Sequence, residues 1–62
     1  MPFTISGHTS DGNVVSRRDT AMEAVQKAVE MINAGVKDVY ITDRERGRIY
    51  RRDEFPLLLK SW

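Results

Sequence analysis

Five arginines crowd into nine residues of this 62-residue chain, Arg44, Arg46, Arg48, Arg51 and Arg52, and within that stretch Glu45 alone opposes them. Guanidinium groups neutralise phosphates and stack on base planes. Tyr40 and Tyr50 lie beside them in the sequence, so the stretch reads as a candidate nucleic-acid interface of cations and aromatic rings. The local balance is +4, whereas residues 19–43 set five acids against two lysines, and the formal charge of +1 conceals that asymmetry. Other readings compete with nucleic acid. The sequence isoelectric point of about 8.2 falls short of the values above about 9 typical of nucleic-acid modules. Charged side chains also keep an exposed strand edge from pairing with strangers, and an outward Tyr is ordinary cross-strand stabilisation.

Catalytic chemistry fails at its first requirement. A hydrolytic triad brings together a nucleophile, an imidazole and an orienting acid. The only imidazole, His8, stands near Thr9, Ser10 and Asp11 in sequence, at the end of a strand, where histidine is usually a surface hydrogen-bonding group. The helical carboxylates alternate with Lys and Gln as a solvated face does, and Asp43, Glu45, Asp53 and Glu54 flank arginines, which points to local ion pairing. Asp11-Gly12-Asn13 matches the start of a calcium loop, but that frame must end in Glu and the position holds Met22. The four glycines are scattered and build no phosphate cradle, and with no cysteine there is no thiolate metal cage and no disulfide. No enzymatic activity, cofactor, metal or small-molecule substrate is expected.

The elements that must position these residues follow from periodicity. Phe3 to His8 alternates as a half-buried strand, and Thr9 to Asn13 concentrates turn formers, with Asp11-Gly12 the hairpin signal. Asn13 to Arg17 returns as a second strand in which only one of Val14 and Val15 can face a core. Thr20 and Glu23 have the form of a capping box. Ala21, Val25, Ala28, Val29 and Ile32 then make one apolar stripe of a helix over about residues 20–34, ended by Gly35, with Glu23 and Lys27 at ion-pairing spacing. Alanines 21, 24 and 28 let that helix lie close to a sheet. Asp38 to Thr42 alternates again, and a three-residue loop Glu45-Arg46-Gly47 predicts a second hairpin. In that register Val39, Ile41, Ile49 and Arg51 share the inner face, and Tyr40, Thr42, Arg48, Tyr50 and Arg52 the outer one.

The tail opens with Asp53-Glu54 as a cap and Pro56 in a first turn, and Phe55, Leu58, Leu59 and Trp62 repeat at helical spacing. Leu57 points away from that stripe, so the tail carries more apolar surface than one short helix hides on a single face. The fold class is therefore α+β: an antiparallel sheet of two hairpins with one main helix on one face, ββαββ, plus a short C-terminal helix, in a single domain over residues 1–62.

Length limits function. A chain this short buries only roughly 60% of its unfolded surface, and a ligand pocket of about 300–1,000 Å³ would consume most of its core. No run approaches a membrane span and the start is not graded like a secretory signal, so a cytoplasmic location is expected. The expected role is a non-enzymatic protein-interaction module, as a homodimer or with another protein, using Tyr40, Tyr50, Phe55, Leu57 and Trp62 as contact residues. The alternative is a nucleic-acid-binding accessory protein using the five arginines.

The pattern Asp19-Thr20, Glu23-Ala24, Ala28, Gly35, Val39, Ile41, Asp43, Gly47, Ile49 and Asp53 resembles small uncharacterised bacterial proteins built as β-hairpin, helix, β-hairpin, over roughly residues 3–54. The resemblance implies that architecture and a bacterial cytoplasmic origin. It supplies no activity and no catalytic residues, and the leucine-rich tail departs from the shortest of those proteins.

Overall fold

The first hairpin forms because a threonine closes its turn. In the computed structural model, which describes residues 3–61, strands β1 (Phe3–Thr9) and β2 (Gly12–Arg18) pair antiparallel from Phe3↔Arg18 to Thr9↔Gly12. Thr9 Oγ1 accepts from the Asp11 amide at 3.2 Å and donates to the Gly12 carbonyl at 3.0 Å. The two turn residues are thus Ser10 and Asp11, one position earlier than the Asp11-Gly12 signal suggests. Gly12, at φ +132°, opens β2 in a conformation that side chains disfavour.

Helix α1 (Ala21–Asn33) starts where Thr20 caps it. Thr20 Oγ1 accepts from the Glu23 amide at 3.2 Å and donates to Glu23 Oε1 at 3.0 Å. That bond occupies Glu23, and the observed ion pair is Lys27 to Glu30, 3.1 Å apart, rather than Glu23 to Lys27. At the other end the Val36 amide donates to the Met31 carbonyl and the Gly35 amide to that of Ile32, with Gly35 at φ +92°. These are the two bonds of a Schellman stop.

The buried stripe of α1 is Ala21, Ala24, Ala28 and Met31. It is rotated from the expected one: Ala24 and Met31 replace Val29, which is exposed, and Val25 and Ile32 sit at its flank, partly buried. Small side chains at the contact let the helix approach the sheet closely, and β1 matches them with Gly7. A Cβ at Gly7 would overlap Val36 Cγ1 and crowd Val39 Cγ2 and Met31 Cε.

Strand β3 (Lys37–Asp43) pairs with β1, and β4 (Arg48–Arg51) with β3, giving the order β2-β1-β3-β4, antiparallel throughout. The β1/β3 register shifts between Ser6↔Tyr40 and His8↔Lys37, so Asp38 and Val39 together oppose Gly7. Asp38 takes φ +54° in this bulge, a left-handed conformation outside glycine. A 3₁₀ turn (Arg52–Glu54) leads into helix α2 (Phe55–Ser61). Phe55 and Leu58 close the core beside Phe3, Ile5, Val39, Ile41 and Tyr50. This is the ββαββ α+β architecture with its short C-terminal helix. Among the described residues no helix is long and apolar enough to cross a membrane.

Tyr50 and Ile49 reverse the expected faces. Asp43 pairs with Arg48, so the connection is the four residues 44–47 rather than three, and each β4 side chain changes sides. Tyr50 is 3% exposed and Ile49 59%. The cause is Asp43, whose Oδ1 accepts from the amides of Glu45 and Arg46, both at 3.1 Å. Bonds to a charged acceptor contribute roughly 1.5–3 kcal/mol each, whereas the unpartnered Tyr50 hydroxyl that this register buries costs roughly 1–3 kcal/mol. Asp43 Oδ2 is also buried without a partner, so the two bonds stand against two orphaned atoms.

Two substitutions check the packing and the bulge by urea unfolding. Gly7→Ala loses about 1–3 kcal/mol, because the new methyl overpacks the site against Val36. Asp38→Gly gains about 1 kcal/mol by relieving the positive φ.

Candidate functional site

With both helices on one side of the sheet, no described element covers the opposite side. Register places its side chains in cross-strand rows. One row runs Arg17, Thr4, Thr42, Ile49, and the next Val15, Ser6, Tyr40, Arg51. At the open end His8 lies opposite both Asn13 and Lys37. Val15 is 57% exposed, Ile49 59% and Tyr40 37%. Antiparallel sheets commonly leave one face to solvent, but such a face is normally polar. This one mixes apolar groups, hydroxyls and cations.

Among the described residues no carboxylate stands in these cross-strand rows. Asp11 lies in the first turn, Asp19 before α1, Glu23 and Glu30 on α1, Asp38 in the bulge, Asp43 in the interior, Glu45 in the second loop, and Asp53 and Glu54 in the 3₁₀ turn. Arg17, Lys37 and Arg51 make no ion pair with another described residue. Where β4 ends, the face runs into a half-open groove of about 880 Å³. Ile32, Val36 and Val39 line its wall, and Tyr40, Ile49 and Arg51 its border with the face.

The five arginines disperse. Arg51 reaches the outer face and Arg44 and Arg46 lie in the second loop. Arg48 shares the inner side with Tyr50 at the rim, its guanidinium carbon 5.6 Å from the ring centroid, in cation–π range. Arg52 belongs to the 3₁₀ turn and lines the groove. Arg48 and Arg52 therefore do not flank an outward Tyr50. Of the expected contact residues, Tyr40 and Leu57 are exposed. Tyr50 and Phe55 are core residues, filling the space beneath α2, and offer no surface. Trp62 lies outside the described residues.

Arg17, Lys37, Val15 and Ile49 join Tyr40 and Arg51 only once register is known. The exposed member of the Val14-Val15 pair was the available signal for β2. For β4 it was Asp43, whose side chain can bind amides two and three residues on.

His8 is exposed, and its Nδ1 donates to Asn13 Oδ1 at 2.6 Å, since an amide oxygen only accepts. A shallow hollow of about 570 Å³ beside it is lined by Thr9, Ser10 and Lys37 and receives no carboxylate. No group of three or more His, Asp or Glu residues suited to a metal occurs among the described residues. No family model, curated protein or solved structure matches this chain.

The two buried polar atoms without partners, Asp43 Oδ2 and Tyr50 Oη, separate loop anchoring from simple burial. Tyr50→Phe removes an orphaned hydroxyl and raises stability by about 1 kcal/mol. Asp43→Ala lowers it by about 2 kcal/mol or more and speeds amide exchange at Glu45 and Arg46.

Proposed function

We propose that this chain is a non-enzymatic protein-interaction module that works as a homodimer joined through its helical layer. The observation that carries the reading is the apolar surface left on both helices. Met22 and Val29 on α1 are 63% and 44% exposed, and Leu57 and Leu59 on α2 are 55% and 42% exposed. No other described element covers them, and burying large apolar side chains stabilises by roughly 1.5–3 kcal/mol each. A second copy supplies that cover at no cost in new sequence.

The bacterial cytoplasmic setting is part of the same proposal and rests on the resemblance over residues 3–54. The structure gives the nucleic-acid alternative less support than the sequence did, because the arginine cluster divides among a loop, a rim, the outer face and the 3₁₀ turn.

Sedimentation velocity at tens of micromolar tests the homodimer. The expected species has twice the 7.1 kDa mass of one chain, and its unfolding temperature rises with protein concentration. Val29→Glu gives a folded monomer, since its exposed site tolerates charge in the single chain. A wild-type monomer across that concentration range overturns the proposal.

A further inference from the structure

We infer that the open face of the sheet is a docking surface for an acidic segment of another protein, one carrying apolar side chains between its carboxylates. This goes beyond the homodimer, which uses the opposite layer of the fold.

Charge complementarity carries the inference. Nine Asp and Glu residues occur in the chain, and none of them stands in the cross-strand rows of this face, Asp38 being in the bulge beside it, whereas Arg17, Lys37 and Arg51 lie on it with no ionic partner among the described residues. The cations stand at separated points, Arg17 on one outer strand, Arg51 on the other and Lys37 at the open end. Between them Tyr40 sits in the row of Ser6 and Val15. Depletion of acids together with Tyr, Arg and aliphatic groups is the composition of protein-binding surfaces, in which Tyr and Arg contribute most of the energy. A second copy docked face to face would set cations against cations with no carboxylate to answer them, so the occupant is a different, acidic chain.

Two features favour a protein segment over a nucleic-acid strand. Among the described residues Tyr40 is the one Phe, Tyr or Trp ring exposed on the face, with the His8 imidazole at its far end, whereas single-strand binding surfaces offer successive rings to successive bases. At its margin the groove sets Asp38 and Asp53 among Lys37, Arg51 and Arg52 around the apolar Ile32, Val36 and Val39, a mixed lining that suits peptide side chains better than a continuing phosphate chain. A peptide can end its acidic run there and place an apolar side chain against Ile32, Val36 and Val39 instead.

Backbone amide shifts of the isotope-labelled chain test this with three probes: a short blocked peptide alternating glutamate with valine, its lysine counterpart, and an oligothymidylate. The expected result is a response to the glutamate peptide alone, centred on Ser6, Val15, Arg17, Tyr40 and Arg51 and weakened by added salt. The double variant R17E/R51E, at two exposed positions, binds about tenfold more weakly or worse. Should that variant unfold, Tyr40→Ala and the salt dependence of the wild type give the same reading. No response to the glutamate peptide, an equal response to the lysine peptide, or shifts confined to Val29 and Leu59 overturns the inference and leaves the homodimer to its own sedimentation test. A stronger response to oligothymidylate also overturns it, assigning the face to nucleic acid.

Discussion

Two hydrogen bonds from the Asp43 carboxylate to the Glu45 and Arg46 amides decide what both sides of the β3-β4 hairpin present. Side chains alternate strictly along a strand, so adding one residue to the loop exchanges the faces of the entire following strand. Here that exchange buries Tyr50 and turns Ile49 and Arg51 outward. The core gains a third aromatic ring with Phe3 and Phe55, and the outer face gains the Arg that answers Arg17 across the sheet. Both the interior under α2 and the make-up of the outer face descend from one side chain that is itself wholly buried.

A second constraint is the thinness of the interior. Ala24 and Ala28 are fully buried, and Gly7 leaves no room for a Cβ against Val36, Val39 and Met31. A helix this near the sheet needs few large side chains to fill the gap, which suits a short chain. The two hollows described above lie at the margins of the sheet rather than beneath the helix.

Much of the architecture was legible because it depends on local rules. Thr20 and Glu23 announced the helix start, Gly35 its end, and alternation in Phe3 to His8 and Asp38 to Thr42 two strands. The candidate surface was less legible, since a cross-strand row depends on register and register depends on loop length. The stretch from Asp43 to Gly47 supports a three-residue or a four-residue loop on turn propensity alone, and Gly47 is left-handed in either. What distinguishes them is the carboxylate of Asp43, which in sequence reads as one more charged residue beside arginines. The helix stripe drifted for a related reason: Val29 is more apolar than Ala24, but close packing selects size before hydropathy. Arg17 escaped notice because the eye follows clusters, and it stands apart from the other arginines until the sheet brings β2 and β4 onto one plane.

The segregation of acids from one face has an electrical meaning that net charge hides. With three positive charges on the outer sheet and a total of +1, the remainder of the chain carries a net −2. Such a molecule is nearly neutral as a monopole yet strongly dipolar. It attracts little from afar, but within a Debye length of about 8 Å at physiological salt it experiences a torque that swings the sheet toward any negative object before contact. Orientation, more than attraction, is what this distribution supplies to an encounter.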